Sequence, residues 1–378
     1  MPITQAPLKR RHVVHLTSVH QRYDTRIFIK QCRSLAKAGF DVSLIVADGK
    51  GDEVTEDGIN IYDVGTLPGR LNRIFRTTRR VYLRAESLNA DLYQFHDPEL
   101  FPTGLKLRHQ KKVVIFDSHE DVPKQMLGKP YLNAPLLKLV AFIFAKYESW
   151  AVRRLSAAIG ATPYIAKKFS AMSVHTVNVN NFPQIGELEN CVPWSDKEDE
   201  ICYVGGIAAI RGVIPLITSL ELTRCKARLN LVGDFSEEST ERTAIALSGW
   251  RLVNSHGFLD REGVRDILAR SVAGIVNFLP LPNHIDAQPN KMFEYMAAGI
   301  PIIASDFPLW REIILGSNCG VCIDPSDPSA ISTAIDKFVG NKKLAEQMGQ
   351  NGKRAVFETY NWQMEEEKLI KLYQDLLK

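Results

Sequence analysis

Short apolar segments alternate with longer segments of helical periodicity, and this alternation restricts the chain to a small set of folds. In the first half, the apolar segments are typical of β-strands over residues 13–17, 42–47, 59–64, 92–95, 113–116 and 157–161. Helical segments are predicted between most of them, over residues 24–38, 71–88, 100–109 and 135–155. This order favours a parallel sheet that is covered by helices on both faces.

The same alternation begins again near Ile201. Further strands are predicted over residues 201–206, 229–232, 272–276, 301–304 and 320–323, with helices between them. Two successive Rossmann-like, doubly wound domains fit 378 residues better than one large sheet. The sequence therefore predicts an α/β protein of two such domains.

The predicted boundaries follow the weakest patterning. Residues 1–182 form the first domain, and the polar, proline-containing residues 183–200 form a linker. Residues 201–359 form the second domain, and residues 360–378 form a last helix. Its expected apolar contacts are Leu369, Leu372, Tyr373, Leu376 and Leu377.

Composition and charge exclude several classes of protein. The chain is 45% hydrophobic and 24% charged, as in soluble globular proteins, and its net charge of +4 is too small to indicate nucleic-acid binding. No apolar run reaches the roughly 18 residues of a membrane span. The first residues lack the apolar core of a signal peptide. We expect a cytoplasmic protein that does not bind nucleic acid.

The six cysteines do not indicate a metal or redox site. Cys32, Cys191, Cys202 and Cys225 are scattered, and Cys319 and Cys322 form a lone C-x-x-C within an apolar segment. Because no second pair accompanies it, buried thiols are favoured over zinc or redox chemistry.

A short helix with clear start and stop signals lies near residue 290. Pro289 and Asn290 are start signals, and Gly299 with Pro301 ends the helix. Its residues are apolar on almost every face, which predicts burial. The N-terminus of such a helix suits a phosphate group. Glu294, one turn in, can accept hydrogen bonds from a sugar diol, although an ordinary first-turn Glu that the helix dipole favours is the alternative.

The segment around this helix resembles a known family. Asp286, seven intervening residues, Glu294 and then YMAAGIPIIASD resemble the nucleotide-sugar site of retaining glycosyltransferases of family four, in the GT-B class. The sequence PNKMFEYMAAG is similar to the corresponding sequence of bacterial polysaccharide and O-antigen assembly enzymes. The family has Glu at both ends, whereas Asp286 keeps the charge on a shorter side chain.

The resemblance implies a fold and an activity. In the GT-B fold the two domains face a cleft, and the last helix crosses back onto the first domain. The implied reaction moves a sugar from a nucleotide diphosphate to an acceptor hydroxyl with retention, without a metal or other cofactor. Cations and helix N–H groups stabilise the departing diphosphate. The implied catalytic residues are His119, Asp286 and Glu294.

Polar residues directly after strands are the candidate ligand contacts of the first domain, since doubly wound sheets bind ligands at the carboxyl ends of their strands. His96 and Asp97 follow the fourth predicted strand, and His119 and Glu120 follow the fifth. His96, Asp97, Glu120 and Arg26 are candidates for the acceptor side. His119 is expected beside the reacting centre, with a structural histidine as the alternative. Asp24 is interpreted as a helix N-cap.

The candidate donor contacts belong to the second domain. Gly205 and Gly206 end its first strand, and Gly206 stands where the family commonly has an Arg. Arg211 matches a family Lys position, and an Arg keeps the charge for phosphate binding. Gly233 permits close backbone approach, whereas Asp234 could also be an N-cap. The remaining candidates precede Glu294: Gln288, Pro289, Asn290 and Lys291, of which Lys291 could supply the missing cation.

Two segments bear on the acceptor, which is expected to be a glycan or a lipid-linked glycan. Residues 70–84 form a basic amphipathic helix, and residues 135–150 are strongly apolar. Together they could dock on an anionic membrane at the inner face of the plasma membrane. The alternatives are a solvated basic face for the first segment and a core helix for the second, and for the second the core helix is favoured.

Other functions remain open at this stage. A nucleotide-sugar epimerase or a phosphorylase shares the two-domain fold, although we find no motif for a lysine that holds pyridoxal phosphate. A non-catalytic protein that binds sugar nucleotides is the alternative from another class, because Asp286 and Gly206 both depart from the family pattern. The donor base, the donor sugar, the acceptor and the oligomeric state do not follow from the sequence.

Overall fold

The computed structural model describes residues 10–127, 134–189 and 192–378. The chain divides into two compact units, one formed by Met1–Asn181 with Glu365–Lys378 and the other by Phe182–Met364. The first nine residues of the predicted first domain, and Cys191 within the predicted linker, lie outside the described residues.

The first unit contains an eight-stranded sheet. Its strands are β1 (His12–Leu16), β2 (Asp41–Val46), β3 (Glu53–Val54), β4 (Asn60–Asp63), β5 (Leu92–Phe95), β6 (Val113–Ser118), β7 (Ala157–Gly160) and β8 (Thr176–Asn178). They lie in the order β3-β4-β2-β1-β5-β6-β7-β8, and all pairs are parallel except β3 with β4. The order reverses direction between β1 and β5, so the loops after these two strands flank the switch point of the sheet.

Helices connect these strands. They are α1 (Arg33–Lys37), α2 (Arg70–Asn72), α3 (Thr78–Leu88), α4 (Phe101–His109), α5 (Val122–Leu127), α6 (Ala134–Val152) and α7 (Pro163–Ser170). Thr25–Cys32 and Arg73–Thr77 are π-helical and lead into α1 and α3, and Pro98–Leu100 is a 3₁₀ turn before α4. Asp24 caps the first of these segments, because its carboxylate accepts from the backbone N–H groups of Arg26 and Ile27. The predicted N-cap is confirmed.

The second unit contains a six-stranded parallel sheet. Its strands are β9 (Glu200–Val204), β10 (Arg228–Val232), β11 (Val253–Gly257), β12 (Ala273–Val276), β13 (Ile302–Ser305) and β14 (Gly320–Ile323). They lie in the order β11-β10-β9-β12-β13-β14. This order reverses direction between β9 and β12, which places the second switch point beside the loops after these strands.

The helices of this unit lie between its strands and beyond β14. They are α8 (Val213–Leu222), α9 (Glu238–Ala246), α10 (Arg261–Arg270), α11 (Pro282–Ile285), α12 (Asn290–Ala297), α13 (Pro308–Gly316), α14 (Pro328–Val339) and α15 (Lys342–Glu358). The last helix, α16 (Trp362–Leu376), belongs mainly to the first unit. Shorter 3₁₀ turns span Trp194–Asp196, Ala209–Arg211 and Ser248–Leu252. Two apolar clusters form its core, and they include buried aromatic side chains such as Tyr203, Phe293 and Trp310.

The two doubly wound sheets confirm the predicted fold class. Residues Glu365–Lys378 are part of the first unit, as expected of a last helix that returns to the first domain. The units divide a few residues away from the predicted boundaries. Phe182 and Leu188 are buried in the core of the second unit, although the sequence placed them in the first domain and the linker. Their burial is the physical reason that the compact second unit begins before the polar stretch ends.

The helix α6 carries an exposed apolar face, which contradicts the favoured interpretation of its sequence as a core helix. Leu137 and Ala141 are buried. Leu139, Phe142 and Ile143 are each more than half exposed. No described helix is long and apolar enough to cross a membrane.

The described cysteines are all free thiols, and Cys319 and Cys322 do not form a disulfide. Burial raises the pKa of the Cys319 thiol to about 12. These thiols are therefore protonated at neutral pH, as expected of buried structural cysteines.

Candidate active site

The loop after β1 is held by Asp97, the residue that follows His96 at the end of β5. Its Oδ2 accepts hydrogen bonds from Thr17 Oγ1 at 2.7 Å and from the backbone N–H of Ser18 at 2.6 Å. Asp97 is buried, so its carboxylate braces the neighbouring loop. It was predicted as an acceptor contact, and the structure gives it this bracing role.

Asp117, the residue before Ser118 at the end of β6, is a fully buried anion of the first unit. Arg26 binds it with two contacts, Nη2 to Oδ1 at 2.7 Å and Nε to Oδ2 at 3.1 Å. Burial alone would raise the pKa of Asp117, but Arg26 and the neighbouring histidines hold it well below its usual range. Arg26 was predicted to face the acceptor, whereas the structure buries it in this ion pair.

Three histidines lie beside this anion. His96 Nδ1 is 3.2 Å from Asp117 Oδ2, and His119 Nε2 is 3.2 Å from His96 Nδ1 and 3.4 Å from Asp117 Oδ2. His15, on β1, places its Nδ1 3.0 Å from His96 Nε2. His119 is the only one of the three with an exposed side chain, at 20%, so it is the one that a ligand can reach.

A fourth histidine borders the cluster from the loop after β1. His20 Nδ1 lies 3.2 Å from Asp24 Oδ2, and its ring centroid is 5.1 Å from that of His119. Burial lowers the pKa of His20, but the hydrogen bond with Asp24 and the charge of Asp97 outweigh it and raise the pKa above the usual value. Glu120, also predicted on the acceptor side, is exposed and its carboxylate contacts Gln125.

His96, Asp117 and His119 have potential metal-ligand atoms within 4.8 Å of one another. The cluster does not fit a cation, because Arg26 already neutralises Asp117 and Gln31 Nε2 donates to Oδ2 at 2.8 Å. A divalent ion would lie beside the buried guanidinium and would replace these hydrogen bonds. The arrangement suits a hydrogen-bond network better than a metal centre.

The loops at the second switch point require glycine for close backbone approach. A Cβ on Gly212 would lie 2.0 Å from the carbonyl oxygen of Asn277, the residue after β12. A Cβ on Gly233 would lie 2.4 Å from the carbonyl oxygen of Gly205. Gly233 therefore allows two loops of this edge to touch. Asp234 beside it is exposed and does not cap α9, whose cap residue is Glu237, so the alternative interpretation of Asp234 as an N-cap was wrong.

Lys291 is a buried lysine in the first turn of α12. It is 7% exposed, and its Nζ makes no hydrogen bond among the residues that the structure describes. Nζ lies 3.5 Å from the centroid of the Tyr203 ring and 3.6 Å from the position that a Cβ of Gly205 would take. Burial lowers the pKa of Lys291 well below its usual value. An anionic ligand would supply the missing acceptor and favour the protonated form of this buried amine.

Glu294 is half-buried and forms an ion pair that the sequence did not suggest. Its Oε1 accepts from Arg261 Nη1 at 2.8 Å, and Arg261 Nε donates to Glu187 Oε1 at 2.7 Å. Arg261 begins α10, and Glu187 lies within the predicted linker. This arrangement fixes the orientation of Glu294 and occupies one of its two oxygens.

The remaining candidates lie in the loops around α11 and after β9. Asp286 follows α11 and is half-buried, Gln288 has an Oε1 without a hydrogen bond within the described ranges, and Pro289 with Asn290 begins α12 as predicted. Arg211 Nη1 donates to the carbonyl oxygen of Gly206 at 2.9 Å. The structure therefore gathers the donor candidates at one edge of the second sheet.

Sequence reasoning missed Asp117, His15, Arg261 and Glu187. Asp117 is the first residue after a predicted strand, so the signal that identifies His119 as a candidate also applies to Asp117. Arg261 is separated from Glu187 by 74 residues, and no local pattern connects them.

Comparisons with known proteins agree with this architecture. Residues 25–179 match the family model described as Glycosyltransferase Family 4, and residues 186–355 match the one described as Glycosyl transferases group 1. The chain is similar to the capsular polysaccharide biosynthesis glycosyltransferase CapM of Staphylococcus aureus, with 24% identity over 181 residues. This match covers 47% of the chain and 46% of CapM. The uncharacterized glycosyltransferase MJ1607 of Methanocaldococcus jannaschii is also 24% identical, over 47% of the chain and 45% of that protein. The chain thus spans about half the length of the curated relatives it matches.

Solved structures share the fold over nearly the whole chain. Sucrose-phosphate synthase from Thermosynechococcus elongatus superposes with a TM-score of 0.79 at 16% identity, covering 97% of this chain and 99% of that one. Anabaena Alr3699/HepE in complex with UDP and glucose gives 0.74 at 11% identity, covering 97% and 100%. The two family models follow one another along the two Rossmann-like units, and the chain belongs to the glycosyltransferases of the GT-B class.

Proposed function

We propose that the protein is a retaining hexosyltransferase, which moves a sugar from a nucleotide diphosphate sugar to an acceptor hydroxyl. The observation that carries this proposal is Lys291, a buried amine without a hydrogen-bond acceptor at the N-terminus of α12. A departing diphosphate supplies the missing negative charge, and the free N–H groups of the first helical turn add to its stabilisation. The binding of UDP and UDP-glucose in the Anabaena structures supports the donor class.

In this proposal the donor lies along the carboxyl edge of the second sheet. Lys291 and Arg211 contact the diphosphate, with Gln288, Pro289 and Asn290 beside it. Gly205, Gly206 and Gly233 keep the neighbouring backbone close to the nucleotide. Glu294 uses the oxygen that Arg261 leaves free to accept from the ribose diol. The cations and the helix N-terminus carry the diphosphate charge without a metal or other cofactor.

In the first unit, His119 is assigned to the sugar at the reacting centre, because its side chain is partly exposed while its ring is held by buried neighbours. Asp286 is assigned to the sugar hydroxyls, with the charge of the family's Glu on a shorter side chain. The leaving phosphate takes the proton of the acceptor hydroxyl, so no separate general base is required.

We further propose a place in cell-surface polysaccharide or glycolipid assembly, in the cytoplasm. The similarity to CapM, a glycosyltransferase of capsular polysaccharide biosynthesis, supports the pathway class. The acceptor is a glycan or a lipid-linked glycan. The exposed apolar residues of α6, together with exposed Leu71 and Phe75 of the basic segment 70–84, favour peripheral contact with an anionic membrane.

Thermal unfolding with a panel of UDP, GDP, ADP and CMP, each with and without EDTA, tests the donor site. A ligand at about a hundred times its dissociation constant should stabilise the second unit by about 2.7 kcal/mol. We expect one nucleotide diphosphate to stabilise the protein regardless of EDTA, and Glu294→Ala to abolish the response. Incubation with the matching nucleotide sugar and acceptor then tests the transfer and the anomeric configuration of the product.

Two lysine variants sharpen the test. Lys291→Met should reduce the thermal stabilisation by a nucleoside diphosphate, because Lys291 is assigned to the phosphates. The stabilisation by the nucleoside without phosphates should stay unchanged. Lys337→Met, at an exposed lysine of α14, is the matched control and should behave as the wild type. A wild-type protein that responds to no nucleotide would contradict the proposed activity and favour the non-catalytic alternative.

Co-sedimentation with anionic vesicles at low salt tests the membrane contact. The double variant Phe142→Ser, Ile143→Ser should bind less than the wild type, because these side chains are 59% and 58% exposed on α6. Phe258→Ser removes a similarly exposed phenylalanine from the second unit and is the control. Equal vesicle binding by all three proteins, or none by the wild type, would contradict a docking role for α6.

A further inference from the structure

A chain of hydrogen-bonding side chains inside the first unit connects Asp117 to His119 by way of Tyr373 on α16. We call it the histidine relay, and its members are Asp117, Gln31, Gln94, Tyr373, His15, His96 and His119. All members except His119 are buried. Because a buried donor must find an acceptor, the directions of these hydrogen bonds can be worked out one after another.

The direction is set at Asp117. Its carboxylate is ionised beside Arg26 and can only accept hydrogen bonds. Gln31 therefore turns its amide nitrogen toward Asp117 Oδ2, at 2.8 Å, and its amide oxygen toward Gln94. Gln94 Nε2 in turn donates to Gln31 Oε1 at 2.6 Å. The same nitrogen is 3.4 Å from Asp117 Oδ2. Both amide orientations follow from the one anion.

Tyr373 connects the two glutamines to the histidines through its hydroxyl group. The amide oxygen of Gln94 is 2.7 Å from Tyr373 Oη, so the phenol donates its single proton there. The same Oη lies 3.1 Å from His15 Nε2 and has only an acceptor role left. His15 must therefore carry its proton on Nε2.

The remaining two steps fix His96 and His119. Burial lowers the pKa of both His15 and His96, so each ring carries one proton at neutral pH. His15 Nδ1 is then bare and accepts from His96 Nε2–H at 3.0 Å. This leaves His96 Nδ1 without a proton although it lies 3.2 Å from Asp117 Oδ2, so these two acceptors need a shared donor. His119 Nε2–H is shared between His96 Nδ1 at 3.2 Å and Asp117 Oδ2 at 3.4 Å. Nδ1 of His119 makes no hydrogen bond with any described residue.

We propose that Tyr373, on the last helix, is a positioning residue that holds His119 in its Nε2–H tautomer through the histidine relay, with Nδ1 free to accept from a sugar hydroxyl. The part that concerns the sugar rests on the proposed function, whereas the tautomer of His119 does not. Without the phenol, His15 can carry its proton on Nδ1, and His96 can donate from Nδ1 to Asp117 at 3.2 Å. Two N–H groups would then oppose each other across the 3.2 Å between His96 and His119.

Nitrogen-15 NMR of protein labelled at histidine tests the relay directly, since the two ring nitrogens of a neutral histidine have separate shifts in each tautomer. In the wild type we expect His15, His96 and His119 as Nε2–H tautomers. In Tyr373→Phe we expect His15 and His96 to become Nδ1–H, and His119 to change with them. An Nδ1–H tautomer of His15 or His96 in the wild type would overturn the relay whether or not the variant folds.

Tyr93→Phe is the matched control. Tyr93 is also buried in the first unit, and its hydroxyl bonds Ala90 N–H and Ala85 C=O rather than a histidine. It should lose stability as Tyr373→Phe does and keep all three tautomers. Unchanged tautomers in Tyr373→Phe would refute the positioning role.

Steady-state kinetics separate the relay from the proposed function. If His119 contacts the sugar, Tyr373→Phe should lower kcat about tenfold and change the KM for the donor by less than about twofold, whereas Tyr93→Phe changes neither. A wild-type protein without transferase activity would defeat the proposed function, while its NMR spectrum would still decide the relay. Altered tautomers with unchanged kcat would confirm the relay and remove its catalytic consequence.

Discussion

Gly233 combines two constraints in a single residue. Its φ is +130°, and a Cβ there would lie 2.4 Å from the carbonyl oxygen of Gly205. We expect Gly233→Ala to lower the free energy of unfolding of the second unit by about 3 kcal/mol, because it adds a backbone collision to an unfavourable dihedral. Urea unfolding followed by Trp fluorescence measures the change.

Gly257→Ala is the matched control for this prediction. Its φ is +63°, and no heavy atom lies within 4 Å of its Cβ position. Gly257→Ala should lower the free energy of unfolding by about 1 kcal/mol, because only the left-handed backbone conformation opposes the new side chain. Equal losses in the two variants would show that the approach of the loops is not what requires glycine at residue 233.

Lys197 should make the stability of the second unit depend on pH. Its Nζ donates to the carbonyl oxygens of Ala269 and Ser271, and burial lowers the pKa of Lys197 to about 8. The unfolded chain keeps this proton up to roughly pH 10.4 and so binds more protons between the two values. The contribution of Lys197 is therefore complete above the ordinary pKa and is lost as the pH falls through about 8.

Urea unfolding at intervals from pH 7 to pH 10, compared between the wild type and Lys197→Met, isolates this contribution from other titrations. The free energy of unfolding of the wild type should rise relative to that of the variant as the pH increases. A constant difference across the range would mean that Lys197 keeps an ordinary pKa.

Single residues also show what the sequence could reveal about the site. The rule that ligands bind at the carboxyl ends of strands located His96, His119 and the loop after β9 without any structure. It could not find the partners that orient them. Glu294 depends on Arg261, 33 residues away, and His15 depends on Tyr373, 358 residues away. Such pairs are set by the topology of the sheets, and a local pattern holds no information about them.

At the scale of elements, the cap of the π-helical segment Thr25–Cys32 gives a local prediction. Asp24 Oδ1 accepts from Arg26 N–H at 2.8 Å and from Ile27 N–H at 2.9 Å. Asp24→Ala should destabilise this segment by about 1 kcal/mol, whereas Asp24→Asn keeps an equivalent oxygen and should lose little. Hydrogen exchange of the first-turn amides measures both, and equally fast exchange in the two variants would contradict the capping role.

The alternation of strands and helices predicted the elements with strong patterns and missed those without them. Every strand that the apolar segments predict is present in one of the two sheets. Most of these strands are buried, because burial on both faces demands continuous apolar residues, whereas β4 and β14 are partly exposed. The edge strands β3, β8 and β11 were missed. They contain polar or partly exposed residues, since an edge strand is covered less. The π-helical hydrogen bonding of Thr25–Cys32 and Arg73–Thr77 was also not predicted. Hydrophobic periodicity distinguishes a helix from a strand, but it does not distinguish one type of helix from another.

For α6 the sequence predicts more burial than the structure shows. Its sequence is apolar enough for a core helix, yet Leu139, Phe142 and Ile143, at i, i+3 and i+4 on one face, are exposed. Composition alone cannot distinguish a helix that is buried within a unit from one whose apolar face is available to another surface. The distinction depends on what packs around the helix, and that information is held by the fold.

The whole molecule consists of two units with separate cores, and the last helix belongs mainly to the first of them. Leu369, Leu372 and Tyr373 are almost fully buried there, and the Glu365 carboxylate accepts from Asn180 N–H at 2.7 Å. The first unit, whose main segment ends at Asn181, thus depends for its stability on the final segment Glu365–Lys378. The second unit has its own apolar clusters and does not require these side chains.

Removal of residues 365–378 should therefore unfold the first unit selectively. The loss of three buried side chains at roughly 2 kcal/mol each amounts to about 6 kcal/mol, which is comparable to the whole stability of a domain. Limited proteolysis should then cleave sites in residues 10–181 and spare the second unit, whose thermal response to a nucleotide should persist. Removal of only Leu377 and Lys378, which are half-buried and exposed, is the control. Equal protection of the first unit in both truncated proteins would mean that its core is stable without α16, and a lost nucleotide response would mean that the second unit depends on that helix as well.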